Sequence, residues 1–179
     1  MENSTHKLYT ASQVRGIDYT AIHELGIAGY ELMCRAGTAV VEVANSLHPA
    51  AGHWLVMCGP GNNGGDGYVV ARLGVEAGLK LSVCSLQDTG ALKGDAATAH
   101  EGWLNAGGEV LSWPLPEGFQ CDLAFDALLG TGIDREVGGV FRDAIDWLNQ
   151  LDCPKLAIDI ASGINADTGC GMGLSLIHI

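Results

Sequence analysis

A chain of 179 residues, 47% hydrophobic and only 17% charged, has the length of one ordinary domain and is too apolar for charge-driven disorder. Its formal charge of -12 argues against general nucleic-acid binding and against adhesion to anionic membranes, which leaves a small molecule as the expected ligand. Twenty-six glycines without a three-residue period or proline enrichment exclude collagen and point to loops and turns.

Thr10 to Gln13 reads as a capping box, followed by Val14, Ile17, Ala21, Ile22 and Leu25 at helical spacing, with Gly26 as the stop. A second helix is expected over 28–47, on Leu32, Met33, Ala36, Val40, Val41 and Ala44, and His48-Pro49 ends it. The apolar run Trp54 to Cys58 fits a strand buried on both faces of a parallel sheet. After a glycine-rich loop, Val69, Val70, Leu73 and Val75 predict a helix over 67–77 with Gly78 as its cap, and 81–86 supplies a second strand. Helix 94–106, strand 110–113, a proline-containing loop, strand 123–125, helix 139–150 and strand 156–158 continue the alternation. Alternating strands and helices predict a doubly wound α/β domain, a three-layer α/β/α Rossmann-like sandwich with a mostly parallel sheet, preceded by two N-terminal helices.

Six cysteines, at 34, 58, 84, 121, 153 and 170, include no CxxC pair. They read as small core residues of a protein kept in a reducing cytosol. The N-terminal residues lack the apolar run of a signal peptide and the arginine-rich pattern of a transit peptide, and no stretch is apolar enough to span a bilayer. A cytoplasmic protein is expected.

In an open parallel sheet the ligand crevice lies beyond the carboxyl ends of the strands. Three loops fall there. The first, Gly59-Pro60-Gly61-Asn62-Asn63-Gly64-Gly65-Asp66-Gly67, has five glycines that permit positive φ and close backbone approach, and the helix after it aims its N-terminus at the loop, an arrangement suited to a phosphate. A structural turn, with Asn62 and Asn63 in left-handed backbone and Asp66 capping the helix, is the alternative. The second follows Asp126 and contains Gly130-Thr131-Gly132-Ile133-Asp134-Arg135-Glu136, where the amides would accept a phosphate or sugar oxygen and Arg135 would offset negative charge. A solvated charge cluster is the equal alternative there. The third is Asp159-Ile160-Ala161-Ser162-Gly163. Together they would bring Asp66, Asp126 and Asp159 around one ligand, where crowded carboxylates favour a raised pKa or a bound cation. The histidines pair with no nucleophile at a recognisable spacing, and no GxSxG or GxxxxGK[ST] motif occurs.

The first loop, the segment Asp126-Ala127-Leu128-Leu129-Gly130-Thr131-Gly132 and the third loop, in that order and spacing, resemble the NAD(P)H-hydrate epimerase family; Leu32-Met33-Cys34-Arg35-Ala36-Gly37 also fits. The resemblance runs from Tyr9 to about Gly169. It implies a Rossmann-like sheet that interconverts the R and S epimers of hydrated NADH or NADPH, so that a dehydratase, as a fused domain or a separate protein, can restore the cofactor. Asn62, Asn63, Gly64, Gly65, Asp66, Gly130 to Glu136 and Asp159 would contact the substrate. A potassium ion would bind Asn63, Asp126 and Ser162, whose oxygens form a hard donor set. Homodimer formation is a further option.

Epimerisation breaks and remakes a bond at the hydroxyl-bearing carbon and needs proton transfer, for which Asp159 is the expected acid-base group. Two departures stand out: Cys34 where the family is usually acidic, and Ala161 in place of a proline. The family's lysine after the third loop has no counterpart here. An epimerase-like domain over 1–173, incomplete at its C-terminus, followed by a cloning-derived tail over 174–179, is therefore expected. The rival readings are a nicotinamide-dependent oxidoreductase using Gly59 to Gly64 for pyrophosphate and Asp88 for the ribose, and a non-catalytic nucleotide-binding domain.

Overall fold

A computed structural model describes residues 9–176. In chain order the elements are α1 (Ala11–His23), α2 (Gly29–Leu47), β1 (His53–Cys58), α3 (Asn62–Glu76), β2 (Lys80–Ser85), a 3-10 turn at Thr89–Ala91, α4 (Gly94–Asn105), β3 (Val110–Ser112), β4 (Leu123–Ala127), α5 (Gly139–Gln150) and β5 (Lys155–Ala157). The five strands form one sheet in the order β3-β2-β1-β4-β5, every pair parallel. The expected α/β architecture is what forms, with α1 and α2 preceding the first strand. No described helix is long and apolar enough to cross a membrane.

β1 is the centre of the sheet because its residues are apolar on both faces. Trp54, Val56 and Cys58 point into one core with Met33, Tyr68, Val70, Val83, Trp103 and Phe125. Leu55 and Met57 point into the other, with Ala144, Ile145, Leu148 and Leu128. Helices α2, α3 and α4 therefore cover one face and α5 the other. The chain runs outward from β1 to β2 and β3, then returns to place β4 on the other side of β1. That reversal leaves a crevice beyond the carboxyl ends of β1 and β4.

The local signals at the helix ends hold. Thr10 accepts from the Gln13 amide and the Gln13 side chain accepts from the Thr10 amide, closing the capping box. Gly78 has φ +85 just past the end of α3, as a helix-terminating glycine should.

Several boundaries differ from expectation, most of them by one or two residues, and two of the differences bear on the site. α3 starts at Asn62, five residues before the expected 67, with Gly61 as its N-cap and the Gly65 amide donating to the Gly61 carbonyl at 3.1 Å. Four glycines among fifteen residues make this a poor helix by propensity, but a Cβ on Gly67 would lie 2.7 Å from the Ala127 Cβ and one on Gly65 would lie 2.6 Å from Met33 Cε. The glycines let α3 lie close on the sheet and on its neighbouring helices. None of those between 59 and 67 has positive φ, so close approach, not left-handed backbone, is what requires them. Asn62 and Asn63 are likewise helical, and Asp66 sits in the second turn instead of capping the helix. The second difference is β4, which extends to Ala127, so Asp126 lies within a strand and pairs with both Met57 and Ala157.

Residues 174–176 lie against the body of the domain. The Leu176 amide donates to the Ser162 carbonyl at 2.9 Å, the Leu176 side chain is buried, and Asn149 donates to the Ser175 carbonyl. The rest of the expected tail, 177–179 with His178, lies outside the described residues, as does His6.

Candidate active site

The three loops meet at the crevice. A cavity of about 550 Å³ opens there between the N-terminus of α3, the segment after β4 and Asp159, the second residue past β5. Asn62, Asn63, Gly130 to Glu136 and Asp159 line it. Gly64, Gly65 and Asp66 are not among the lining residues: they belong to the body of α3, behind the wall. At the start of α3 the amides of Asn62, Asn63 and Gly64 precede the first intrahelical donor, the Gly65 amide, so they are left at the crevice end of the helix with its partial positive charge.

Interlocked backbone fixes this wall. A Cβ on Gly64 would fall under 3.0 Å from the Gly59 carbonyl oxygen, and one on Gly59 would do the same to the Leu128 carbonyl oxygen. Helix, first loop and second loop thus touch backbone to backbone. Across the cavity, the Asp159 carboxylate accepts the Thr131 amide at 2.8 Å, and a Cβ on Gly130 would lie 2.5 Å from that same oxygen. Asp159 is exposed and is tied to the loop it faces. Asp134, Arg135 and Glu136 are exposed on the rim, and Arg135 is in no ion pair among the described residues.

Beneath the cavity floor lies a buried polar cluster. Asp126 accepts from the Leu128 amide at 3.1 Å, the Ser162 amide at 2.7 Å and the Ser162 hydroxyl at 2.6 Å. Ser162 Oγ in turn accepts the Leu129 amide at 2.9 Å, and the Asn63 side-chain amide donates to the Leu129 carbonyl at 3.0 Å. Burial raises the Asp126 pKa, against the lowering effect of the bonds from Ser162 and Leu128. Asn63 Oδ1 is buried without a hydrogen-bond partner. An orphaned buried amide oxygen on a residue linked through Leu129 to a serine hydroxyl and its carboxylate partner could hold a hard monovalent or divalent cation. The described residues contain no cluster of three His, Cys, Asp or Glu side chains fit for a transition metal.

Asp66 has its pKa raised to about 7, first by burial, then by the negative charges of Asp159 and Asp18. The folded state therefore holds this proton more tightly than the unfolded chain. The stabilising contribution is full below the ordinary aspartate range and is lost as pH rises through about 7. Asp66→Asn should remove this dependence. The variant's thermal midpoint is expected to gain on the wild type as pH is raised from 4 to 8, which a pH series of unfolding curves checks.

Sequence reasoning missed part of the lining. Leu128, Leu129, Val137, Gly138 and Phe141 also bound the cavity, and the Leu129 carbonyl joins Asn63 to Ser162. Val137 and Phe141 flank the start of α5, a position that the alternation rule for strand ends points to but that their apolar character hid. Asp88, expected to bind a ribose in the oxidoreductase reading, does not line the cavity and instead caps the 3-10 turn through the Gly90 amide at 2.9 Å.

The family described as YjeF-related protein N-terminus matches residues 29–175. The chain is 43% identical over 172 residues to the bifunctional NAD(P)H-hydrate repair enzyme Nnr of Escherichia coli strain K12, covering 94% of this chain and 33% of that protein. It is 36% identical to the NAD(P)H-hydrate epimerase of Limosilactobacillus fermentum, over 96% of this chain and 82% of that protein, and 37% identical to that of Rhodobacter capsulatus, over 90% and 79%. The chain thus spans about a third of the bifunctional relatives and most of the epimerases. The crystal structure of yeast ynu0 shares the fold, with a TM-score of 0.84 at 22% identity over 96% of this chain and 77% of that one. The chain belongs to the YjeF-related protein N-terminus family, that of the NAD(P)H-hydrate epimerases.

Proposed function

We propose that this site interconverts the R and S forms of hydrated NADH or NADPH, which supplies a dehydratase, fused or separate, with the epimer it restores to the intact cofactor. One observation carries the reading above the others: a cavity of about 550 Å³ at the reversal point of the sheet has a helix N-terminus on one wall and the Asp159 carboxylate on the other. The helix amides suit phosphate oxygens, and Asn62, Asn63 and the rim from Gly130 to Glu136 suit the remaining polar groups of the substrate. The relatives named as epimerases support the same chemistry. Gly64 and Gly65 act by letting α3 pack closely behind the wall, where Asp66 is largely buried.

Inverting the hydroxyl-bearing carbon requires loss and return of water or opening of the ring, and either route moves a proton. Asp159 is the acid-base group in this reading: exposed to the cavity, and held in place by the Thr131 amide.

Potassium fits the buried cluster, with Asn63 Oδ1, Asp126 and Ser162 Oγ as its protein ligands; when bound it would supply a positive charge next to Asp126. Asn63→Ala should then abolish the difference in thermal midpoint between potassium and sodium buffers that the wild type is expected to show, a readout independent of turnover. Absence of any such difference in the wild type would remove the potassium site.

A second copy of the chain is a compatible partner, because Ile17, Tyr19 and Leu25 expose apolar side chains on and just after α1. The free thiols accord with work in the cytoplasm. NMR observation of R and S hydrate exchange tests the activity in this chain and in a form extended at its C-terminus. Exchange in potassium buffer is expected, and none in either form would reject the proposal.

A further inference from the structure

At the opposite edge of the sheet from the cavity, Cys121 leads into β4 and Cys153 into β5. Their sulfurs lie 3.6 Å apart, although 32 positions separate them in the chain. All six cysteines read from the sequence as small core residues. The structure bears that out for Cys58 and Cys84 alone: Cys170 is exposed and Cys34, Cys121 and Cys153 are half-buried, the last two bordering the same two surface concavities, of about 660 and 480 Å³. A small reagent can therefore reach them.

Their lead-in segments enter neighbouring parallel strands, which lie about 4.7–4.9 Å apart, inside the ~4.4–6.8 Å between Cα atoms that a disulfide spans. The two thiols are also unlike in character. The Cys121 S–H and, after it, the Lys155 ammonium favour the Cys153 thiolate and bring its pKa to about 7 against the effect of burial, while Cys121 is pushed up by its bond to Cys153. Cys58 and Cys84, buried in the two cores, are raised by burial and are inert by comparison.

We propose that Cys121 and Cys153 form a dithiol site that low-molecular-weight disulfides oxidise reversibly to an intramolecular disulfide. The Cys153 thiolate attacks one sulfur of the small disulfide, forming a mixed disulfide and expelling one thiolate. Cys121, on losing its proton, attacks the Cys153 sulfur, forms the Cys121–Cys153 bond and expels the second thiolate. Two protein thiols are oxidised by two electrons, the small disulfide is reduced to two thiols, and a dithiol reductant reverses the change. The closed ring encloses Asp126 and the loop from Gly130 to Glu136, so the bond ties down the base of the segment that lines the cavity.

Reduced protein, incubated with mixtures of oxidised and reduced glutathione, alkylated and mapped by peptide mass, provides the test. A linked Cys121–Cys153 peptide pair is expected as the main oxidised product, lost on addition of dithiothreitol. Cys121→Ser should instead accumulate glutathione on Cys153. Glutathione on Cys170 or Cys153 of the wild type with no linked pair would overturn the proposal, as would a pair that stays reduced while Cys170 reacts. The wild-type map decides the matter even if a variant fails to fold.

Discussion

Asp159→Asn should lower the rate of epimer exchange by about 10²–10⁴-fold while leaving substrate affinity close to that of the wild type. The expected split between kcat and KM follows from the two jobs proposed for this side chain. One carboxylate oxygen holds the Thr131 amide, and the asparagine carbonyl can accept that same bond, so the loop from Gly130 to Glu136 keeps its place. What asparagine cannot do is exchange a proton near neutral pH. Asp159→Ala removes both functions, and its KM should rise as well, because the Thr131 amide loses its acceptor. NMR exchange rates together with binding titrations separate the two. A wild-type rate in Asp159→Asn with normal binding would show that Asp159 positions the loop and transfers no proton.

Gly64→Ala should destabilise the domain by roughly 3 kcal/mol, the upper end of the usual range for overpacking, and lower its thermal midpoint by roughly 6–12 °C. The added methyl meets the Gly59 carbonyl, which is backbone and has no rotamer to yield. Gly59 in turn abuts the Leu128 backbone, so relief would push α3 away from the segment after β4 and pull Asn63 from the Leu129 carbonyl. The cavity wall and the buried oxygen cluster should fail together, and exchange should fall with stability. Gly132→Ala is the control, since nothing lies within 4 Å of its added Cβ and its φ is not positive; its midpoint should be nearly unchanged. Differential scanning calorimetry on the two variants checks both values.

How far the sequence announces these features differs from element to element. Val56, Phe125 and Leu148 make apolar runs or helical stripes that state their burial directly, and the alternation of such segments defines the sheet. α3 resists reading because its first turns are Asn-Asn-Gly-Gly, residues that avoid helices in isolation; the close contact with the sheet and with Met33 that stabilises them is a tertiary fact. The extension of β4 through Asp126 was hidden for a related reason. A carboxylate interrupts a strand pattern unless donors such as the Ser162 amide and hydroxyl are known to surround it. The approach of the three loops was legible because strand ends in a parallel sheet share one edge. Cys121 and Cys153 share the other edge by the same rule, but two separate thiols carry no motif to draw attention to it.

The central place of β1 also sets an order of events during synthesis on the ribosome. Its partner on one side, β2, follows soon after it, but Val56 meets Phe125 on the other side, a wait of roughly 3–14 s at ordinary elongation rates of ~5–20 residues per second. For that interval a nascent chain carries an apolar strand with one bare flank, the form most open to misassociation with other chains. Slower initiation, which lowers the number of such nascent chains present at one time, should therefore raise the soluble yield.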